Sequence, residues 1–280
     1  MDEFLINLLT LSLGGGVVGV VLMGLARLTR SRYGARWRCV VWALLCLRMI
    51  WPLPLFPAVP SPIQITAPEL ELPAVMTSTP VASPEEERFQ SPMTEETVAE
   101  NNRTTPSLSQ VVTMVWALGA TGVLAWSIVA HLRLCRYLRR WAAEVSREDV
   151  RARYAEQARR LNLKRVPRLL ECPGLSVPML SGVFSPVLLL PLDLQEGEML
   201  EYAMLHELIH HRRRDIWLKV LAVLAVCVHW FNPLVWWTAR QVERDMELAC
   251  DETALTVLPQ EQHLAYGETI LRAAAQTKNS

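Results

Sequence analysis

Four long apolar stretches alternate along the chain with charged or proline-rich segments. The first runs from Phe4 to Ala26 without a charge, the length of helix a bilayer's hydrocarbon core requires. It is too long for a signal peptide, follows Asp2 and Glu3, and is succeeded almost at once by another apolar run. Its Gly14-Gly15-Gly16 cluster is expected to be a close-packing helix face. The second stretch, Cys39 to Phe56, contains Arg48 and exits at Pro52 and Pro54. Arg48 is expected to snorkel toward the interface. The third is Val111 to Leu132. Together these predict three transmembrane helices.

The fourth stretch, between Asp215 and Arg240, is apolar enough to suggest another span. It is interrupted by His229-Trp230-Phe231-Asn232-Pro233, and Asn-Pro breaks a helix. Two helices are predicted instead, Ile216 to Trp230 and Leu234 to Val257, forming a re-entrant hairpin. Each arm rises roughly 22 Å to the level that matters. The return arm therefore brings Glu247 back to where the first arm began, whereas a straight crossing would strand it on the far side. Trp230, Trp236 and Trp237 near the tip suit the membrane interface.

The polar segments set the orientation. The link from Arg27 to Arg38 carries five Arg and no acid, and the segment after Leu132 opens with Arg133, Arg136, Arg139 and Arg140. The loop between the second and third spans has eight Glu against two Arg. Positive charge stays inside, so the N-terminus and the acidic loop are expected outside and everything from Arg133 onward in the cytoplasm. The division expected is a two-helix membrane hairpin (1–56), an extracellular disordered Pro/Glu-rich loop (57–108), a third span (109–132) and a cytoplasmic domain (133–280). The basic stretch from Arg133 to Arg168, just past a span, suits anionic lipid better than nucleic acid.

Composition refines this picture. With 280 residues, 51% of them hydrophobic, the chain can hold a membrane part and one soluble domain of roughly 100–150 residues. Formal net charge is zero, which conceals the segregation above. Six cysteines at 39, 46, 135, 172, 227 and 250 form no CxxC spacing, so neither a disulfide scaffold nor a cysteine zinc site is indicated and buried single thiols are expected.

In the soluble part, Trp141 to Leu163 has an amphipathic helical pattern. Short β-like pieces follow at Arg168 to Glu171, Val177 to Met179 and Pro186 to Pro191, predicting a small sheet or hairpin. Asp193 or Gln195-Glu196 is expected to start the next helix. That helix carries His206-Glu207-Leu208-Ile209-His210. Residues four apart share a helical face, so both imidazoles can reach one metal ion, and Glu207 beside the first is placed to act as general base. A hydrolytic zinc takes three protein ligands and keeps one position open. Glu247 is the expected third ligand. Asp251, four residues on, is expected to accept the free N–H of a ligand histidine and fix its tautomer. Asp215 either supports the site or pairs with Arg212 to Arg214. His211, His229 and Arg244 are candidates for an oxyanion partner, each better explained as structural. The Val187 to Leu190 strand is a candidate for binding an extended substrate by edge pairing.

These motifs resemble the BlaR/MecR-type family of bacterial membrane zinc metallopeptidases, the antirepressor signal transducers. The resemblance covers nearly the whole chain. It lies in the three early spans, Arg48 and Pro52, Ser176-Val177-Pro178-Met179, Gly182 to Val187, the HExxH helix with Asp215, His229 to Val235, and Glu247 to Glu252. It implies a gluzincin-like centre, with zinc on His206, His210 and Glu247 and with Glu207 as base. It implies a mainly α membrane protein whose cytoplasmic α+β zincin-like domain cleaves itself and a cytoplasmic repressor after an outside signal. Its best-known members continue into an extracellular β-lactam-binding domain; to Ser280 no such domain is read, so no acylation serine is carried over. The rival expectation is a non-catalytic membrane sensor or scaffold with a structural or vestigial metal site.

Overall fold

The computed structural model describes residues 2–28, 34–51, 106–192 and 198–279. The expected extracellular loop, the Pro52 and Pro54 exit and the helix start at Asp193 to Glu196 lie outside these residues, apart from the loop's last three. The fold is mostly helical with one small mixed sheet. Helices α1 (Asp2–Leu28), α2 (Ala35–Ile50) and α3 (Leu108–Trp141) come first. Strand β1 (Ala143–Glu144), helix α4 (Glu148–Arg160) and strands β2 (Arg168–Cys172), β3 (Met179–Ser181) and β4 (Val187–Pro191) follow. The chain then continues as α5 (Glu198–Arg213), α6 (Asp215–Val228), α7 (Pro233–Val257), a 3-10 turn and α8 (His263–Asn279).

Among the described residues, two helices are long and apolar enough to cross a membrane, α1 over Glu3–Ala26 and α3 over Leu108–Trp141. Helix α2 has only 16 residues and is amphipathic in use. It buries Trp42, Leu45, Cys46 and Met49 against Ala222, Val226, Val235 and Val242 of α6 and α7. Gly15 of α1 faces Met49, and Gly16 faces Leu234, which is where the glycine cluster allows close packing. Arg48 is partly buried, and its Nη1 is closed off from solvent with no hydrogen-bond partner among the described residues.

Helices α6 and α7 are separate, broken at Asn232-Pro233, and pack against each other. Asn232 caps α7 by accepting from the Leu234 N–H at 2.9 Å, and Pro233 occupies the first turn, where its missing N–H costs nothing. The tip is fastened to all three early helices. Asn232 Nδ2 donates to Ser12 O and Oγ of α1 at 3.0 and 2.9 Å, and His229 Nε2 lies 3.1 Å from Met49 O of α2. The indoles of Trp116 (α3) and Trp230 donate to Val228 O and Trp116 O at 2.9 and 3.2 Å. Gly119 of α3 lies against the Trp230 ring, where any Cβ would collide.

Two strand-level expectations change. The amphipathic helix starts at Glu148, not Trp141, because the intervening segment turns outward into β1 and Val145 drops into the core. The strand order is β1-β2-β4-β3. Strand β4, from Val187 to Pro191, pairs parallel with β2 and antiparallel with β3, so it is central and has no free edge. Its near-continuous run of apolar residues reflects that burial. The edge strands are β1 and β3, and β3 is the one that packs beside α5.

Candidate metal centre

Helix α5 buries Leu205, Leu208 and Ile209 against β4 and α4, and this turns His206 and His210 toward α7. Their Nε2 atoms lie 3.1 Å apart, and Glu247 Oε2 sits 3.4 Å from each. A tetrahedral zinc with bonds of about 2.0–2.1 Å places its donors about 3.3 Å from one another. The three donor atoms therefore have the spacing of one face of a zinc tetrahedron, and the residues fit the ion. Cys250 is a competing donor, since it groups with His206 and His210 within 4.8 Å. It approaches His206 at Nδ1, at 3.6 Å, and contacts the His206 carbonyl at 3.4 Å. It thus stands behind the ring, whereas Glu247 stands where both Nε2 atoms point.

Each imidazole is held from behind. His210 Nδ1 lies 2.7 Å from Asp215 Oδ2. Asp215 can reach back because Arg214 adopts a left-handed conformation (φ 60°, ψ 36°) that sharply separates α5 from α6. Asp215 also receives Arg213 Nε at 3.1 and 3.2 Å, so it contacts both His210 and one of the arginines. His206 is supported differently. Its Nδ1 lies 2.8 Å from the Tyr266 hydroxyl of α8, and that hydroxyl donates to Asp251 Oδ1 at 2.8 Å. Asp251 Oδ1 itself is 3.4 Å from Nδ1, farther than the Tyr266 hydroxyl that bridges them. With its hydrogen given to Asp251, the hydroxyl accepts from Nδ1–H, which leaves Nε2 free as a ligand atom. Tyr266 was missed in the sequence, because nothing in a tyrosine 56 residues past the motif marks it.

Glu207 is partly buried between α5 and β3, and its Oε2 accepts the Leu180 N–H at 2.8 Å. Burial raises its pKa, opposed by the two imidazoles and the Leu180 N–H, with Glu247 adding to the rise. Burial opposes charge on the imidazoles as well, but hydrogen bonds outweigh it. His206 is held well above the ordinary value by Asp251, Cys250 and Glu247, and His210 is pushed up to about 11 by Asp215, Cys250 and Glu247. Glu247 resists its burial, and the two rings hold it well below the usual carboxylate range.

The oxyanion candidates lie elsewhere. His211 Nε2 is 2.9 Å from the Arg165 carbonyl and fastens the loop before β2. His229 is fully buried at the hairpin tip, and Arg244 lines a crevice with Met23 and Arg38. Of the cysteines, Cys135 is partly exposed and the other five are buried, with no disulfide.

A family model described as BlaR1 peptidase M56 matches residues 6–280. Regulatory protein BlaR1 of Bacillus licheniformis is 28% identical over 160 residues, 56% of this chain and 26% of that protein. The methicillin resistance mecR1 proteins of Staphylococcus aureus and Staphylococcus epidermidis are 24% identical over 177 residues, 62% of this chain and 30% of theirs. The aligned region is thus under a third of the length of these relatives.

Proposed function

The chain belongs to the BlaR1 peptidase M56 family, and on that premise we propose that it is a membrane-bound zinc metalloendopeptidase. It cleaves a cytoplasmic regulator, a transcriptional repressor, and itself, in transmembrane signalling. The observation that carries this reading is the meeting of His206 and His210 of α5 with Glu247 of α7 at 3.1–3.4 Å.

Zinc held by these three residues supplies Lewis acidity, which polarises a peptide carbonyl and makes water nucleophilic at neutral pH. Glu207 Oε2 takes the proton as the water oxygen attacks the carbonyl carbon, and returns it to the leaving amine nitrogen. Its raised pKa suits both transfers. Asp215 and the Tyr266–Asp251 pair hold the ring orientations. An extended substrate pairs with the free edge of β3, beside Glu207, in place of the β4 edge that the sequence suggested.

In the membrane, α1, α2 and α3 are the three spans, the N-terminus is outside, and the domain from Arg133 is cytoplasmic. The hairpin of α6 and α7 is re-entrant. This is supported by its tip bonding to Ser12 and Trp116, both inside helices long enough to span. The test is metal analysis of the purified protein with its His206→Ala and Glu247→Ala variants, beside proteomics of cells carrying Glu207→Gln. Metal is expected to be lost in the first two and kept in the third, with cleavage lost in all. Signalling that survives Glu207→Gln would assign the protein to the scaffold class.

A further inference from the structure

The sequence Gly182 to Pro186 has no part in the mechanism above, yet it borders the site. It forms the turn between β3 and β4, and Gly182 is at φ 93°, where a Cβ would collide with the Ser185 carbonyl. The turn holds Phe184 outward with 87% of its surface exposed. The ring meets Trp217 of α6 edge-on, centroids 5.8 Å apart. Exposed aromatics held this way form a contact surface.

They form one wall of a groove of about 820 Å³ that begins at Leu180 and His210 of the centre. Across it stand Lys164, Arg165, Arg212 and Arg214, all exposed. Among the described residues, none of these four makes an ion pair and no carboxylate lines the groove. By contrast, Arg213, pointing the other way, is neutralised by Asp215. Arg214 also holds its left-handed backbone although glycine would do so without strain. A long cation is retained there at a conformational cost.

We propose that this groove, on the peptidase reading above, selects the substrate: it takes a polypeptide stretch with acidic side chains flanking an apolar one. The acids lie against Lys164, Arg165, Arg212 and Arg214, and the apolar side chain against Phe184 and Trp217. A concave basic surface continuous with the cleavage centre fits a peptide better than a flat anionic membrane.

The test uses the full chain in phosphatidylcholine nanodiscs. Glu207→Gln protein is titrated with fluorescent peptides that differ only in Glu versus Gln around a central Phe, and unsubstituted protein is given a peptide library. Acidic peptides are expected to bind about tenfold more tightly, with the advantage shrinking in salt. Arg212→Gln with Arg214→Gly removes that advantage, and Arg214→Gly alone relieves strain, so a folding defect does not explain the loss. Affinity and cleavage indifferent to peptide charge overturn the proposal. So does an arginine effect confined to retention of phosphatidylglycerol, which would assign the cations to lipid. Charge-selective binding without any cleavage of the library sustains the groove and removes the peptidase reading instead.

Discussion

Helix α7 passes through two cores that are joined by different chemistry. Its first half packs Val235, Val242 and Met246 among α1, α2 and α6, where Trp42 and Met49 are the large partners. Its second half packs Cys250 and Ala254 with Leu205, Leu208 and Tyr266, in the core that also holds β4 and α4. In the helical core, the polar joints are indole, Asn232 and His229 N–H groups, most of them on backbone carbonyls, and one buried carboxylate, Asp245. That carboxylate accepts from Trp42 Nε1 at 2.6 Å and forms an ion pair with Arg38, whose Nε lies 3.3 Å from Oδ1 without a hydrogen bond. In the α+β core they are imidazoles and the carboxylates behind them. Glu247 lies between Met246 of one core and Cys250 of the other. The first core sets how far α7 slides and turns; the second decides what its carboxylate meets. The N-terminus of α2 is tied to the same helix, since the Ala35 N–H donates to both Glu252 oxygens at 2.8 and 3.0 Å.

The sharpest way to break this division is at Asp245. Asp245→Ala leaves buried Trp42 without its acceptor and partly buried Arg38 without its counter-charge, and a loss of about 3 kcal/mol is expected in unfolding measured in detergent. Zinc content should fall too, although Asp245 touches no ligand, because α7 loses its seat. Asp245→Asn, which keeps an oxygen for Trp42, should fall between. Unchanged zinc content in a folded Asp245→Ala protein would separate the two cores.

Tyr266→Phe acts on the other core alone. It removes the hydroxyl between His206 and Asp251 and keeps the ring packed against Tyr202. Zinc affinity should weaken roughly 10- to 100-fold, with only about 1 kcal/mol lost from the metal-free protein. Titration against a competing chelator reads the first, and denaturant unfolding the second.

Protons compete for the same donors. The pKa of His210 is raised from 6.5 to about 11, so its contribution to metal-free stability is complete below pH 6.5 and declines as pH climbs toward 11. Glu247 is lowered from 4.5, so its contribution holds above pH 4.5 and is lost as pH falls through the folded value. Metal-free protein should be most stable between about pH 4.5 and 6.5 on these two groups. The rise in Tm on adding zinc should grow from pH 6.5 to 9, as the imidazoles exchange protons for metal.

The smallest effect expected is at Leu180. Proline fits a free strand edge, and Leu180→Pro deletes the N–H that lowers the Glu207 pKa. The acid limb of peptide cleavage should move to higher pH while zinc content stays constant.

What the sequence disclosed follows from the range of each interaction. His206 and His210 are one helical turn apart, and Asn232-Pro233 marks a break that returns the chain over a computable length. Helix geometry alone therefore placed Glu247 beside both rings. Asp215 was visible as a candidate, but its direction depended on the left-handed Arg214, which composition does not announce. Tyr266 reaches His206 across 60 residues through the docking of α8, a helix whose faces are mixed and carry no motif. The strand order was hidden for a similar reason: three short apolar pieces fix neither which is central nor which keeps an edge. That assignment arises from how β2 and β4 pair in parallel under α5.

Zinc K-edge X-ray absorption of the loaded full chain bears most directly on the centre. Two imidazoles with a carboxylate oxygen are expected to give only a light-atom shell near 2.0–2.1 Å, unchanged by Cys250→Ser and disrupted by Glu247→Ala. A sulfur shell near 2.3 Å that disappears in Cys250→Ser would give the third position to the thiol, and Glu247 would lose its place as a ligand.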